Sequence, residues 1–228
     1  MTTGRVPGDQ RAVAGRRVYR CGEDALLVEV GSLPAVLDLA AAARRAAAAG
    51  TGGFADLVDV VPAATTVLLT VAEGEGTARL RLGLDALEVE PGLGSLREEG
   101  GVVEIDVVYD GPDLEEVAER TGLSASEVVA AHTADAWRVA FGGFAPGFAY
   151  LTGGDDRLRV PRRGEPRTSV PAGSVALAGE FSAVYPRSSP GGWQLIGRTD
   201  AVLFDVDRDP PALLRPGAAV RFRAVDRS

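Results

Sequence analysis

Leu26, Val28 and Val30 recur at every second position, the spacing of a strand with one buried face. The pattern predicts strands over 17–20 and 25–30 joined by the turn Gly22-Glu23-Asp24. Leu33, Val36, Leu37 and Ala40 then follow at helical spacing, with Pro34 in the first turn and Gly50 as the stop. Two short β-rich runs at 56–61 and 66–71, parted by Pro62 and two alanines, precede a weaker helical stretch over 77–87. This order fits a split βαβ sandwich, one sheet covered on one side by two helices. The turns after its strands lack the glycine spacing of a phosphate cradle, which favours a recognition platform over catalysis for this half. Residues 88–101 carry Pro91, several glycines and no clear period, and mark a boundary.

Beyond that boundary Val103, Ile105 and Val107 alternate with Glu104 and Asp106, predicting a half-buried strand over 102–108. Asp113 with Glu116 and Ser124 with Glu127 both show capping-box spacing, so two helices are expected. Gly122 closes the first, and the second carries His132 one turn past Val128. From 135 onward the pattern is β, beginning with Trp137, Val139 and Phe141. Further strands are expected at 174–178, 183–185, 194–196, 201–204 and 219–222. Pro146-Gly147, Pro171-Ala172-Gly173 and Pro190-Gly191-Gly192 supply tight turns, and many short strands so punctuated suggest a small barrel. The expected class is therefore α+β: a loose tail over 1–15, an α/β domain over 16–90, a linker over 91–101 and a barrel domain over 102–228.

Composition narrows the chemistry. The 228 residues, 46% hydrophobic and 25% charged, suffice for two cores. A formal charge of -8 argues against a chain that wraps nucleic acid or sits on anionic lipid. Lysine is absent, so all 24 basic residues are arginine. That excludes a Walker-type phosphate loop, a pyridoxal Schiff base, a Ser-Lys amidase and a biotin acceptor on this chain. A single cysteine, Cys21, permits no internal disulfide and reads as a small core residue; a single histidine, His132, permits no histidine pair for a metal, and no metal site is expected. No run has the apolar length of a signal peptide or a membrane span, and a cytoplasmic protein is expected.

The run Gly143-Phe144-Ala145-Pro146-Gly147-Phe148 with Tyr150-Leu151, then Pro161-Arg162-Arg163 and Pro166-Arg167, resembles the family of B-type subunits of bacterial 5-oxoprolinase. That family includes the sporulation-kinase inhibitors and the small subunit of allophanate-hydrolase-type carboxyltransferases. The likeness continues through Val170-Pro171-Ala172-Gly173-Ser174-Val175, Tyr185-Pro186, the segment from Ser189 to Thr199 and Leu214-Arg215-Pro216-Gly217, and Asp113-Leu114 and His132 fall where the family would put them. It is dense from about Val103 onward and looser before. It departs at Glu180-Phe181-Ser182-Ala183, where a Gln-Thr-Gly is expected, and at Ala145 and Ala149. The resemblance implies a ferredoxin-like N-terminal domain and a cyclophilin-like C-terminal barrel. It further implies ATP-dependent conversion of 5-oxo-L-proline to L-glutamate. The partners it implies are the C-type carboxyltransferase subunit of 5-oxoprolinase and, beyond that pair, the A-type one, with ATP and magnesium held at the complex. The chain is expected to be inactive alone. An alternative within the resemblance is a binding module that inhibits a sensor histidine kinase through Phe148, Tyr150 and Trp193.

Arg157, Arg159, Arg162, Arg163 and Arg167 cluster in an otherwise acidic chain, opposed by Asp155, Asp156 and Glu165. Guanidinium forks suit small carboxylates or phosphates, and Arg162 and Arg167 are the expected substrate ligands; the plain alternative is a solvated loop. Tyr185 and Gly173 are further candidates for substrate contact, with packing and turn geometry as their plain alternatives. His132 and Ser174 are the candidate catalytic pair, His132 as a proton relay and Ser174 as a hydroxyl donor. A lone histidine beside Val128 is as readily a core group, and Ser174 lacks a nucleophile-elbow spacing.

Overall fold

A computed structural model describes residues 12–13, 16–94 and 101–226 of the 228. The chain divides into two compact units at residue 95, and each is described by itself. The first holds β1 (Ala12–Val13), β2 (Arg16–Arg20), β3 (Ala25–Glu29), α1 (Leu33–Ala48), β4 (Leu57–Pro62), β5 (Thr66–Val71) and α2 (Ala78–Ala86). The tail expected over 1–15 lies outside the described residues save Ala12 and Val13, which pair with Arg17 and Arg16.

The five strands form one antiparallel sheet in the order β1-β2-β3-β5-β4. From β3 onward this is the strand-helix-strand-strand-helix order read from the sequence, with β2 beside β3. Alternation sends Val18, Leu26, Val28, Val67 and Leu69 to one face, where Val36, Leu39, Ala40 and Ala43 of α1 and Leu80 and Leu84 of α2 bury them. Ser32 caps α1, accepting from the Ala35 N–H. Cys21 is exposed beside the β2–β3 turn and not in the core, because it follows the last residue of β2 and the side chain has no sheet to cover it. The boundary segment is anchored at its start: the Asp38 carboxylate on α1 accepts from the Gly92 and Gly94 N–H groups at 3.0 and 2.8 Å. Residues 95–100 of the expected linker lie outside the described residues.

The second unit contains β6 (Val102–Val107), α3 (Leu114–Thr121), α4 (Ala125–Ala134), β7 (Trp137–Gly142), β8 (Ala149–Thr152), β9 (Arg167–Val170), β10 (Ser174–Ala178), β11 (Phe181–Val184), β12 (Ser189–Gly191), β13 (Gln194–Arg198) and β14 (Ala219–Ala224). Seven strands form a nearly closed barrel in the order β13-β10-β11-β8-β7-β14-β6, and β9 with β12 makes a separate ribbon. β6 and β14 run parallel. The chain leaving β6 meets the far edge of the sheet: Val108 exchanges both backbone bonds with Arg198, Gly111 donates to Ile196 and Asp113 to Leu195. The barrel is sealed there by chain continuity rather than by a full strand pair.

Val139, Leu151, Val175, Leu177, Val184, Ile196, Val220 and Phe222 fill the interior, plugged by Val117 of α3 and Val128 of α4. The opposite face of β10, β11 and β13 carries Ala176, Ala178, Ala183 and Leu195, a shallow floor for the rings of Phe148, Tyr185 and Trp193. Two expectations fail for identifiable reasons. Ser124 makes its capping box with Glu127, but Asp113 caps nothing, because its carboxylate is engaged elsewhere. Residues 201–204 form no strand; Phe204 makes one bridge to Ala212, and its alternating apolar neighbours point outward. The ribbon strands were unexpected because arginine, serine, proline and glycine hide the alternation.

A Cβ added to Gly111 would run into the Leu195–Ile196 backbone, whereas one added to Gly164 would meet open space. Gly111→Ala should lower unfolding stability by at least about 1–3 kcal/mol in urea titration, the usual range for overpacking, and Gly164→Ala should leave it nearly unchanged.

Candidate functional site

The site is built on Asp113. At 2% exposure it is among the most buried acidic residues described, and a carboxylate so desolvated needs compensating donors. It has them: one oxygen accepts from Arg167 Nη2 at 2.6 Å and Arg163 Nη1 at 2.9 Å, and the other from the Leu195 N–H at 2.6 Å. Asp113 therefore joins the start of α3, the ribbon strand β9 and the barrel strand β13. Arg163 reaches Glu116 as well, at 3.5 Å, and its N–H donates to the Gly192 carbonyl. The Arg167 Nη1 and Arg163 Nε atoms, buried like their carboxylate, have no hydrogen-bond partner among the described residues.

Beside this anchor lies the aromatic face. Phe148 meets Tyr185, Trp193 and Tyr150 edge-on at centroid distances of 5.2–5.6 Å. Tyr185 is buried, its hydroxyl accepting from the Trp193 N–H; burial pushes its pKa up, and Arg162 and Arg167 lie close enough to draw it partly back. Arg162 is exposed, stacks over Trp193 at 5.9 Å and makes no ion pair among the described residues. Three of the residues expected to bind substrate, Arg162, Arg167 and Tyr185, thus share one electrostatic neighbourhood.

The others do not join it as ligands. Gly173 adopts φ +78, its N–H is committed to the Tyr185 carbonyl and its own carbonyl to Thr199, so it shapes the turn and offers no donor. Ser174 is Tyr185's cross-strand neighbour, but its hydroxyl donates to the Pro171 carbonyl at 2.8 Å. His132 lies within the barrel core, on the side of β11 opposite Tyr185, and is fully buried. Its Nδ1 bonds the Tyr109 hydroxyl at 2.7 Å and its Nε2 the Ser182 hydroxyl at 2.9 Å, while its ring stacks on Phe222 at 4.4 Å. A neutral imidazole, one nitrogen donating and one accepting, satisfies both. Burial pushes its pKa down to about 3 and that of Tyr109 up. The expected catalytic pair is therefore not assembled: His132 and Ser174 sit on opposite faces of one sheet, each occupied by structural bonds.

The divergent 180–183 segment finds its role in the same packing. Gly179 and Glu180 make a two-residue hairpin turn, Phe181 packs edge-on against Phe141 and Tyr150, and Ser182 completes the His132 network. Sequence reasoning missed Asp113 and Arg163 as a working pair; fifty residues separate them, and no local pattern links such positions. Of the three rings that the kinase-inhibitor alternative would expose, the structure buries Phe148 and Trp193 and half-buries Tyr150, and it exposes Phe144 instead.

A nucleotide's phosphates need several converging free donors. Here two of the three guanidinium groups are already spent on Asp113, so these residues do not fit a triphosphate, and no step through ATP is derived on this chain. Among the described residues no three His, Cys, Asp or Glu side chains converge as metal ligands, and no helix is long and apolar enough to cross a membrane.

A nearly closed barrel bearing a cluster of arginines thus shares one chain with a small α/β sandwich. The sequence profile of the carboxyltransferase domain, subdomains C and D, matches residues 16–214, and the chain belongs to that family. It is 52% identical over 131 residues to the B subunit of 5-oxoprolinase from Escherichia coli O157:H7, covering 56% of this chain and 60% of that protein. It is 42% identical over 182 residues to the B subunit of 5-oxoprolinase from Bacillus subtilis strain 168, covering 74% and 76%. The crystal structure of TTHA0988 superposes with a TM-score of 0.70 at 38% identity, over 90% of this chain but 40% of that one.

Two measurements test this geometry. Asp113→Ala leaves two guanidinium groups without their carboxylate; because both are partly exposed, the cost should fall near the low end for a broken buried pair, about 3 kcal/mol, against under about 1 kcal/mol for Glu116→Ala. For His132, the unfolded chain binds a proton below about pH 6.5 and the folded chain only near pH 3. Its contribution is thus fully present above about pH 6.5 and drains as pH falls toward 3, at up to about 1.4 kcal/mol per pH unit. His132→Phe should flatten that part of the stability-versus-pH curve.

Proposed function

We propose that the chain is the B-type member of an ATP-dependent 5-oxoprolinase, working with a companion carboxyltransferase-type subunit to convert 5-oxo-L-proline to L-glutamate. The observation that carries this reading is the placement of Arg162 over Trp193 beside Tyr185 and the Asp113-held Arg167, in a chain whose relatives are named as B subunits of 5-oxoprolinase. The substrate is a small ring bearing one carboxylate. Arg162 takes that carboxylate, and the edge of the aromatic face receives the ring. Arg167 is fixed by Asp113, so its role is to hold positive potential at the site without reorganising as substrate arrives.

Opening the lactam breaks one C–N bond and adds one water across it, and amide resonance makes that step slow without an energy input. ATP with magnesium is assigned to the companion subunits, because two of the three guanidinium groups at this site, Arg163 and Arg167, are held by Asp113. The chain then contributes binding and orientation, and His132 and Ser174 contribute the rigidity of the barrel rather than proton transfer. The kinase-inhibitor alternative needs Phe148, Tyr150 and Trp193 at the surface; Phe148 and Trp193 are buried and Tyr150 is half-buried.

Purified chain reconstituted with its companion subunits should hydrolyse 5-oxoproline when ATP is supplied, and omission of this chain should abolish turnover. Arg162→Gln in the reconstituted complex should raise KM for 5-oxoproline by about tenfold, one charge-assisted hydrogen bond, with the melting temperature unchanged. Turnover that persists without the chain would refute the assignment.

A further inference from the structure

The exposed apolar side chains of the barrel unit are not scattered. Among its described residues six large hydrophobic groups are exposed, and four of them, Phe144, Val202, Phe204 and Val206, come from two segments, the 143–148 turn and the 202–206 loop. These segments touch: a Cβ on Gly147 would stand 2.7 Å from the Phe204 Cβ and 3.1 Å from the Leu203 carbonyl oxygen. Glycine at φ +82 is what lets them approach.

Phe144 is 60% exposed and has φ 66, the one positive value among the described residues other than glycine. The Ala145 N–H donates back to the Gly143 carbonyl at 2.7 Å, which closes a γ-turn of the strained hand around Phe144. A bulky ring in that conformation costs free energy that a glycine there would not. The turn nevertheless holds the ring outward, edge-on to Phe148 at 5.2 Å and to Tyr185 at 6.2 Å. Val202, Phe204 and Val206, 58%, 36% and 79% exposed, continue the apolar surface on a loop held by its own bonds, Leu213 N–H to Leu203 O and Arg208 Nη2 to Val202 O. The rim is acidic on balance: Asp205 and Asp207 flank Val206 and Asp209 follows, none in an ion pair among the described residues, against one cation, Arg208, which is turned to the Val202 carbonyl.

We infer that this patch is the surface on which the companion subunit docks, with Phe144 as the anchor entering an apolar socket rimmed by arginine or lysine. The inference rests on the proposed function in taking the chain to be one member of a complex. Charge selects the occupant: a second copy of this chain, at a formal charge of -8 and without lysine, would set acid rim against acid rim. A basic-rimmed partner is the complementary one, and an apolar centre within a charged rim is the usual anatomy of a protein interface.

The test uses the full chain and the companion carboxyltransferase-type subunit encoded in the same genome, with affinity read by calorimetry and assembly by sedimentation. Phe144→Gly relieves the backbone and removes the ring, so the melting temperature should hold or rise while Kd for the companion weakens by at least about tenfold. Val206→Asp should weaken it similarly, and Asp205→Asn with Asp207→Asn should flatten its salt dependence. Wild-type affinity in Phe144→Gly and Val206→Asp would overturn the docking surface while leaving the proposed function intact. Failure of the wild-type chain to bind the companion at all would overturn both. A wild-type dimer of this chain that Phe144→Gly dissociates would assign the patch to self-association instead.

Discussion

One buried carboxylate organises the barrel unit. Asp113 follows the stretch where the chain, having left β6, lies along β13 and seals the barrel, and its side chain then accepts from the backbone of that strand and from two arginines of the ribbon segment. Desolvating a charge is costly, and the cost is offset only while all three donors stay in place. The closure of the barrel, the position of β9 and the direction of two guanidinium groups are thereby coupled. A change in any one of these disturbs the others, which is why a site this far from any regular catalytic motif can still be well defined.

The same logic separates the two polar networks of the barrel. The network around Asp113 is charged, lies at the edge of the aromatic face and leaves guanidinium atoms without a partner among the described residues. The network of Tyr109, His132 and Ser182 is neutral, closed and wholly interior, with each ring nitrogen matched to one hydroxyl. The first leaves buried donor atoms unpaired and the second leaves none. Titratable chemistry in the barrel interior is therefore given up for rigidity, and the proposed anion site is left to Arg162, where it stacks over Trp193.

The sheet itself divides labour between its faces. The interior side takes branched residues such as Val175, Leu177 and Ile196, while the other side keeps alanines beneath rings. Small residues there leave room for Tyr185, Phe148 and Trp193 to pack edge-on against one another, while the turn lifts one ring, Phe144, clear of the surface. In the proposed reading, binding of a small anion and docking of a larger partner are adjacent functions of one aromatic layer.

Periodicity and turn chemistry by themselves determined much of this protein. Alternation at Leu26 and Val28, helical spacing from Leu33 to Ala40 and the Ser124–Glu127 box are local signals, because each element's hydrogen bonds and its buried face are set within a few residues. The lysine-free composition likewise bounded the chemistry. Local pattern misread Asp113 as a cap, Cys21 as core and 201–204 as a strand, since each depends on what arrives from far along the chain. Whether Arg167 meets a carboxylate or water, whether His132 faces substrate or Phe222, and which ring of the Gly143–Phe148 run is exposed are questions of which distant surfaces exclude solvent. Only the tertiary structure decides them, because desolvation and ion pairing act through space and carry no fixed sequence spacing.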